Sequence, residues 1–169
     1  QIGHVHLKVA DLQRALDFYH GVLGFEITQR YGKQAAFLSA GGYHHHIGLN
    51  TWESEHGASP PPGATGLYHV AILYPTRAEL ADALRRVIEA GIALEGASDH
   101  GVSEALYLRD PDGNGVELYW DRTQDKWPRN PDGSLSPMEL HRRAMEKISR
   151  KAAQDFMKGK DGQTKLKLD

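Results

Sequence analysis

The sequence predicts an α+β fold made by using one β-α-β-β-β unit twice. Three observations predict it. Hydrophobic periodicity changes in the same order in residues 1–51 and 67–121, from alternating to helical and back to three alternating runs. Both helical runs stop at a glycine, Gly24 and Gly91. Both units open on a similar phrase, Ile2-Gly3-His4-Val5 and Leu67-Tyr68-His69-Val70.

The elements follow in order. Ile2 to Val9 alternates as a strand, with Ile2, His4, His6 and Lys8 on one face and Val5, Leu7 and Val9 on the other. Asp11 caps a helix carrying the stripe Leu12, Ala15, Leu16, Tyr19, Val22 and Leu23. Three strands follow, Phe25 to Tyr31, Gln34 to Ala40 and His44 to Thr51, with turns at Tyr31-Gly32-Lys33 and Gly41-Gly42. Residues 52–66 include Pro60-Pro61-Pro62-Gly63 and read as a linker. The second unit runs through a strand from Leu67 to Tyr74 and a helix begun by the capping box Thr76-Arg77-Ala78-Glu79. Strands from Ile92 to Ala97, Glu104 to Arg109 and Gly115 to Trp120 complete it. The last two form a hairpin around Asp110-Pro111-Asp112-Gly113-Asn114. Residues 1–122 therefore form one domain of two modules, 1–51 and 67–121. Residues 123–169 add a polar linker and a helix begun at Ser136-Pro137-Met138-Glu139, with the stripe Met138, Met145, Ile148, Ala152 and Phe156 and a frayed lysine-rich tail. That stripe is expected to dock on a sheet or on a partner subunit of a homo-oligomer.

Composition narrows the function. A 169-residue chain with 40% hydrophobic and 25% charged residues is an ordinary globular length and composition. A net charge of -2 gives no support to nucleic-acid or membrane-surface binding. The absence of cysteine excludes disulfides and thiolate metal sites. No apolar run approaches the roughly 18 residues of a membrane span, and the start lacks a signal-peptide pattern, so a cytoplasmic location is expected.

Superposing the two units pairs His4 with His69 and Gly48 with Glu117. A pseudo-twofold pair of modules brings two imidazoles and one carboxylate toward a common centre, with glycine at the fourth position. Two histidines and a carboxylate with open positions are the ligand set of non-haem Fe(II), and Zn can take the same ligands. Each residue alone also reads as an ordinary solvated or packed side chain. His6 competes with His4 because it shares its strand face, but its repeat equivalent is Ala71. His46, two residues before Gly48, projects toward the vacant position and suits a general acid/base. His44 shares that face further out, and His45 is expected to point the other way. Tyr107 precedes Glu117 by ten residues, on the facing strand of the hairpin, so both can line one cavity, where Tyr107 can donate to an oxyanion or sit in the core. His100 and Ser103 fall near the lip of the hairpin.

These residues resemble the vicinal oxygen chelate superfamily, which includes glyoxalase I and the type I extradiol catechol dioxygenases. The module opening Ile2-Gly3-His4-Val5-His6-Leu7 with Phe18-Tyr19 and Leu23-Gly24-Phe25, and the ending from Tyr107 to Tyr119, are similar to that superfamily, with a single-domain catechol-2,3-dioxygenase-like subgroup the nearest in pattern. The resemblance covers residues 1–122. It implies sheets curled into an eight-stranded cup around a metal held by His4, His69 and Glu117. It implies Fe(II) as the metal, with Mn, Zn or Ni as other candidates. It also implies His46 as acid/base and Tyr107 as the active-site tyrosine. A further pocket histidine of the family falls about two residues from His100. The implied partners are a small aromatic diol and O₂; in this chain the rim aromatics Tyr43, Trp52 and Trp120 can bracket an arene or simply pack, and His44, His100 and Trp52 are the candidate substrate contacts. A glyoxalase-like lyase or isomerase would draw a ligand from each of the four positions, which Gly48 disfavours. A metal-free binding protein for a small aromatic is disfavoured by the intact triad.

Overall fold

A computed structural model of the chain describes residues 2–136; the helix expected from Ser136 onward lies outside the described residues. The element order is β1 (Val5–Lys8), α1 (Leu12–Leu16), β2 (Glu26–Tyr31), β3 (Ala35–Ser39), β4 (Ile47–Asn50), β5 (Val70–Leu73), α2 (Arg77–Glu89), β6 (Leu94–Asp99), β7 (Ser103–Arg109) and β8 (Gly115–Asp121). They form two four-stranded sheets of the same order, β1-β4-β3-β2 and β5-β8-β7-β6. The βαβββ repeat is therefore present in both halves, in an α+β fold. The chain divides into two compact units, residues 1–70 with 110–114, and 71–109 with 115 onward. Among the described residues no helix is long and apolar enough to cross a membrane.

The register of the two sheets shows the repeat in detail. In the first, β1 and β4 pair in parallel, and Val9 N donates to Asn50 O at 2.8 Å. In the second, Tyr74 N donates to Tyr119 O at 2.8 Å. The same bond in both sheets carries the offsets that match His4 with His69 and Gly48 with Glu117.

Within unit 1, β1 alternates as expected. Leu7 and Val9 are buried, while His4, His6 and Lys8 are exposed. Asp11 caps α1 by accepting from Arg14 N at 3.0 Å. The helix differs from the expected regular one, because after Leu16 it widens into a π-helical stretch, Asp17–Val22, before Gly24 stops it at φ +87°. The wider stretch carries Tyr19, fully buried, onto Asp110, to which its hydroxyl donates at 2.9 Å. Asp110, only 4% exposed, also accepts from the backbone N–H groups of Asp112 and Asn114 and from the Asn114 side chain. Asp112 in turn accepts from Ala10 N at 3.0 Å and pairs with Arg14 at 2.6 Å. The Asp-Pro-Asp-Gly-Asn turn thus does more than reverse the chain. Its two carboxylates satisfy donors from the helix and the β1–α1 junction. Burial above all, and Asp110 beside it, push the Tyr19 phenol pKa well above its ordinary value.

Within unit 2, Thr76 caps α2 by accepting from Glu79 N at 3.2 Å. The capping box differs from its usual reciprocal form, since the Glu79 carboxylate takes the Thr76 hydroxyl at 2.8 Å. Leu80, Ala83, Leu84 and Val87 of α2 are fully buried. They bring the helix onto β8, where Val116 and Leu118 are also buried. Strand ends fall within a few residues of the expected ones, and the shortfall is greatest at the starts of β1, β4 and β5, at Ile2 to His4, His44 to His46 and Leu67 to His69.

Removing the Asp110 carboxylate leaves four donors without their acceptor. Asp110→Ala is expected to lower unfolding free energy by about 3 kcal/mol or more, and Tyr19→Phe by about 1–2 kcal/mol, measured by urea denaturation. Equal stability of Asp110→Ala and the parent chain would contradict this description of the turn.

Candidate functional site

The expected site residues fall in both units. His4, His44, His46, Trp52 and His69 belong to unit 1, and His100, Tyr107 and Glu117 to unit 2. Among the described residues no three His, Asp or Glu side chains are grouped as a metal cluster. The triad therefore stands on the repeat and its donor chemistry.

In unit 2, Tyr107 and Glu117 are register partners of the β7–β8 hairpin, so both side chains leave the same face. The Tyr107 hydroxyl donates to Glu117 Oε1 at 3.0 Å, and His100 Nε2 lies 2.8 Å from the Tyr107 oxygen. A phenol has one proton. With that proton directed at Glu117, the Tyr107 oxygen can only accept from His100, which fixes the His100 proton on Nε2. The result is a relay His100–Tyr107–Glu117, with the carboxylate half-buried at its end. His100 is held from behind by a network that sequence patterning does not reveal. Glu104, 9% exposed, pairs with Arg77 at 2.8 Å and Arg122 at 2.9 Å. Arg122 also grips Asp99 at 2.7 Å, and Asp99 accepts from Gly101 N at 2.9 Å. Those bonds fix the turn that carries His100. Paired charge in the apolar strand Ser103–Arg109 was the available signal, since a buried Glu104 demands a cation.

In unit 1, residues 43–46 do not extend β4; they are a bent lead-in to it. Strand alternation therefore fails there, and one expectation is corrected. His45 does not point away from the site face: its ring centroid lies 4.4 Å from that of His4 and 5.0 Å from that of Phe37. His44 packs on Tyr43 at 4.0 Å and shares an Nδ1–Nδ1 hydrogen bond of 2.7 Å with His45. His46 is held at the root of the bend. Ala40 N donates to its Nδ1 at 3.3 Å, and Ser39 Oγ lies 3.2 Å from the same atom. That acceptor role puts the proton of neutral His46 on Nε2. Trp52, 52% exposed, sits 5.7 Å from the His6 ring.

The clustering has an electrostatic consequence. Burial first, and the neighbouring His4 second, lower the pKa of His6. Burial, then His4, His44, His6 and His46, lower that of His45. Each addition of a proton repels the next.

By residue type, the expected donor set would suit a divalent metal. Two imidazoles and a carboxylate suit borderline first-row ions, and a tyrosine donating to the carboxylate is the kind of outer partner that orients a ligand. The chain belongs to the Glyoxalase/Bleomycin resistance protein/Dioxygenase superfamily, which it matches over residues 1–118. It is 47% identical over 134 residues to the catechol-2,3-dioxygenase of Bacillus subtilis (strain 168), covering 79% of this chain and 46% of that protein. It is 32% identical over 123 residues to biphenyl-2,3-diol 1,2-dioxygenase 3 of Rhodococcus globerulus, covering 72% of this chain and 63% of that one. The chain thus spans about half to just under two thirds of these relatives. The crystal structure of a lactoylglutathione lyase from Agrobacterium tumefaciens matches with a TM-score of 0.56 at 26% identity, over 71% of this chain and 92% of that one.

The lowered imidazole pKa values set a pH dependence. The unfolded chain takes up protons near the ordinary histidine value of about 6.5, while folded His6 and His45 resist them. Stability of the metal-free protein should therefore be full above that pH and fall as pH drops through it. Thermal melts between pH 7 and 5 check this, and the double variant His6→Ala/His45→Ala should show a shallower fall.

Proposed function

We propose that the chain is an enzyme, an extradiol-type ring-cleaving dioxygenase acting on a small aromatic diol with non-haem Fe(II) and O₂. The observation that carries the reading is the Tyr107–Glu117 hydrogen bond at 3.0 Å, in a chain 47% identical to a catechol-2,3-dioxygenase. It ties the expected active-site tyrosine to the expected carboxylate ligand. In this reading His4, His69 and Glu117 hold the metal. Bound there, Fe(II) would supply Lewis acidity toward two vicinal hydroxyls and a path for electrons from the diol to O₂, both oxygen atoms ending in the ring-opened product.

The chain's own residues do the rest. Tyr107 fixes the orientation of the Glu117 carboxylate by donating to Oε1. As negative charge builds on the substrate oxygen, the Tyr107 hydroxyl is the donor that would turn from Glu117 to meet it, backed by the His100 N–H. His46, with Nδ1 taken by Ala40, works through Nε2, giving a proton to a developing oxygen anion and later taking one back. A glyoxalase-like lyase would want a ligand at position 48. Glycine stands there, which favours the dioxygenase reading.

Two substitutions test it. Glu117→Ala is expected to abolish tight stoichiometric iron binding, read by metal analysis after desalting; retention of one iron per chain would remove Glu117 from the ligand set. His46→Ala is expected to keep the iron and lower kcat on catechol by about 10²–10⁴-fold. Loss of iron in that variant would make His46 a ligand instead.

A further inference from the structure

The row of side chains across the first sheet is built differently from its counterpart in the second. Phe37 and His6 are both register partners of Gly48, from opposite sides. The row reads Phe37–Gly48–His6. By the offsets of the repeat, the counterpart reads Tyr107–Glu117–Ala71. Strands β3 and β1 flank β4, so their backbones stand about 9–10 Å apart. Yet the Phe37 and His6 ring centroids are 5.8 Å apart at 72°. The rings lean toward each other over Gly48, and a Cβ placed on that residue would lie 2.9 Å from His6 Cδ2 and Cγ. Glycine at 48 therefore does more than omit a metal ligand: it makes the seat for the His6 imidazole.

Seated there, His6 joins Phe37 to Trp52, whose ring is 5.7 Å from it at 55°. His6 and Trp52 are exposed, and Phe37 is the one β3 residue not fully buried. Three rings thus present tilted edges and faces to solvent, all within unit 1. A planar ring set against them makes the same 5–6 Å tilted contacts they make with one another. A saturated ring of equal size cannot.

We infer that His6, seated on Gly48 between Phe37 and Trp52, is a specificity-determining residue that selects a flat aromatic ring. The inference deepens the dioxygenase reading, since it names how the arene of the diol is recognised, yet it needs no metal chemistry to be tested. The probes are phenol, whose single hydroxyl cannot chelate, and cyclohexanol, its saturated counterpart. Binding to the full chain is followed by calorimetry and by quenching of tryptophan fluorescence.

Phenol is expected to bind and cyclohexanol to bind at least several-fold more weakly. His6→Ala and Trp52→Leu should each weaken phenol about three- to tenfold, while His6→Phe should retain it. Gly48→Ala, which displaces the ring, should weaken phenol as His6→Ala does. The exposed His6 and Trp52 substitutions test the inference whether or not Gly48→Ala folds. Equal binding of the two probes, or phenol binding indifferent to both His6→Ala and Trp52→Leu, would overturn it. Catechol turnover alongside such indifference would overturn this inference and leave the dioxygenase reading. Selective phenol binding with no turnover by the iron-loaded chain would do the reverse.

Discussion

Much of this structure depends on the buried carboxylate of Asp110. It gathers donors from Tyr19, from the backbone at 112 and 114, and from Asn114, across 91 residues of sequence in the first case. Buried and unpaired, that carboxylate would cost several kcal/mol; bonded, it makes the hairpin turn rigid. The turn sets the β7–β8 register, and the register puts Tyr107 opposite Glu117. A slip of one residue would leave the two side chains on opposite faces of the sheet. The candidate chemistry of unit 2 thus rests on a bond at the far end of its hairpin.

The repeat sets two differently built rows on one frame. Both sheets have the same strand order and the equivalent backbone hydrogen bond just past their first strands, Val9 N to Asn50 O and Tyr74 N to Tyr119 O. What differs is the middle of one row. Glu117 there supports a carboxylate tied to Tyr107. Gly48 leaves room for an imidazole from the neighbouring strand. Duplication supplies the frame, and the exchange of one side chain for a hydrogen atom decides what the frame holds.

The fold was largely legible in the sequence because its signals are local. Caps at Asp11 and Thr76, stops at Gly24 and Gly91, and the alternation of Leu7 and Val9 against His6 and Lys8 all act within a turn or a strand. The site was legible only where local rules reach. Tyr107 beside Glu117 followed from hairpin pairing. The direction of His45 did not, because alternation holds for strands and residues 43–46 are a bend. The His6–Gly48 seat needed the register between β1 and β4, and the support of His100 needed Arg122 and Glu104 to meet. Such contacts are set by packing, which a single sequence does not display.

The most direct measurement is anaerobic loading of the purified chain with Fe(II), followed by addition of catechol under air with simultaneous oxygen and visible-absorbance traces. One iron per chain, equimolar loss of O₂ and catechol, and a growing yellow ring-opened product are the predicted result. An iron-loaded chain that leaves both O₂ and catechol unconsumed would contradict the account.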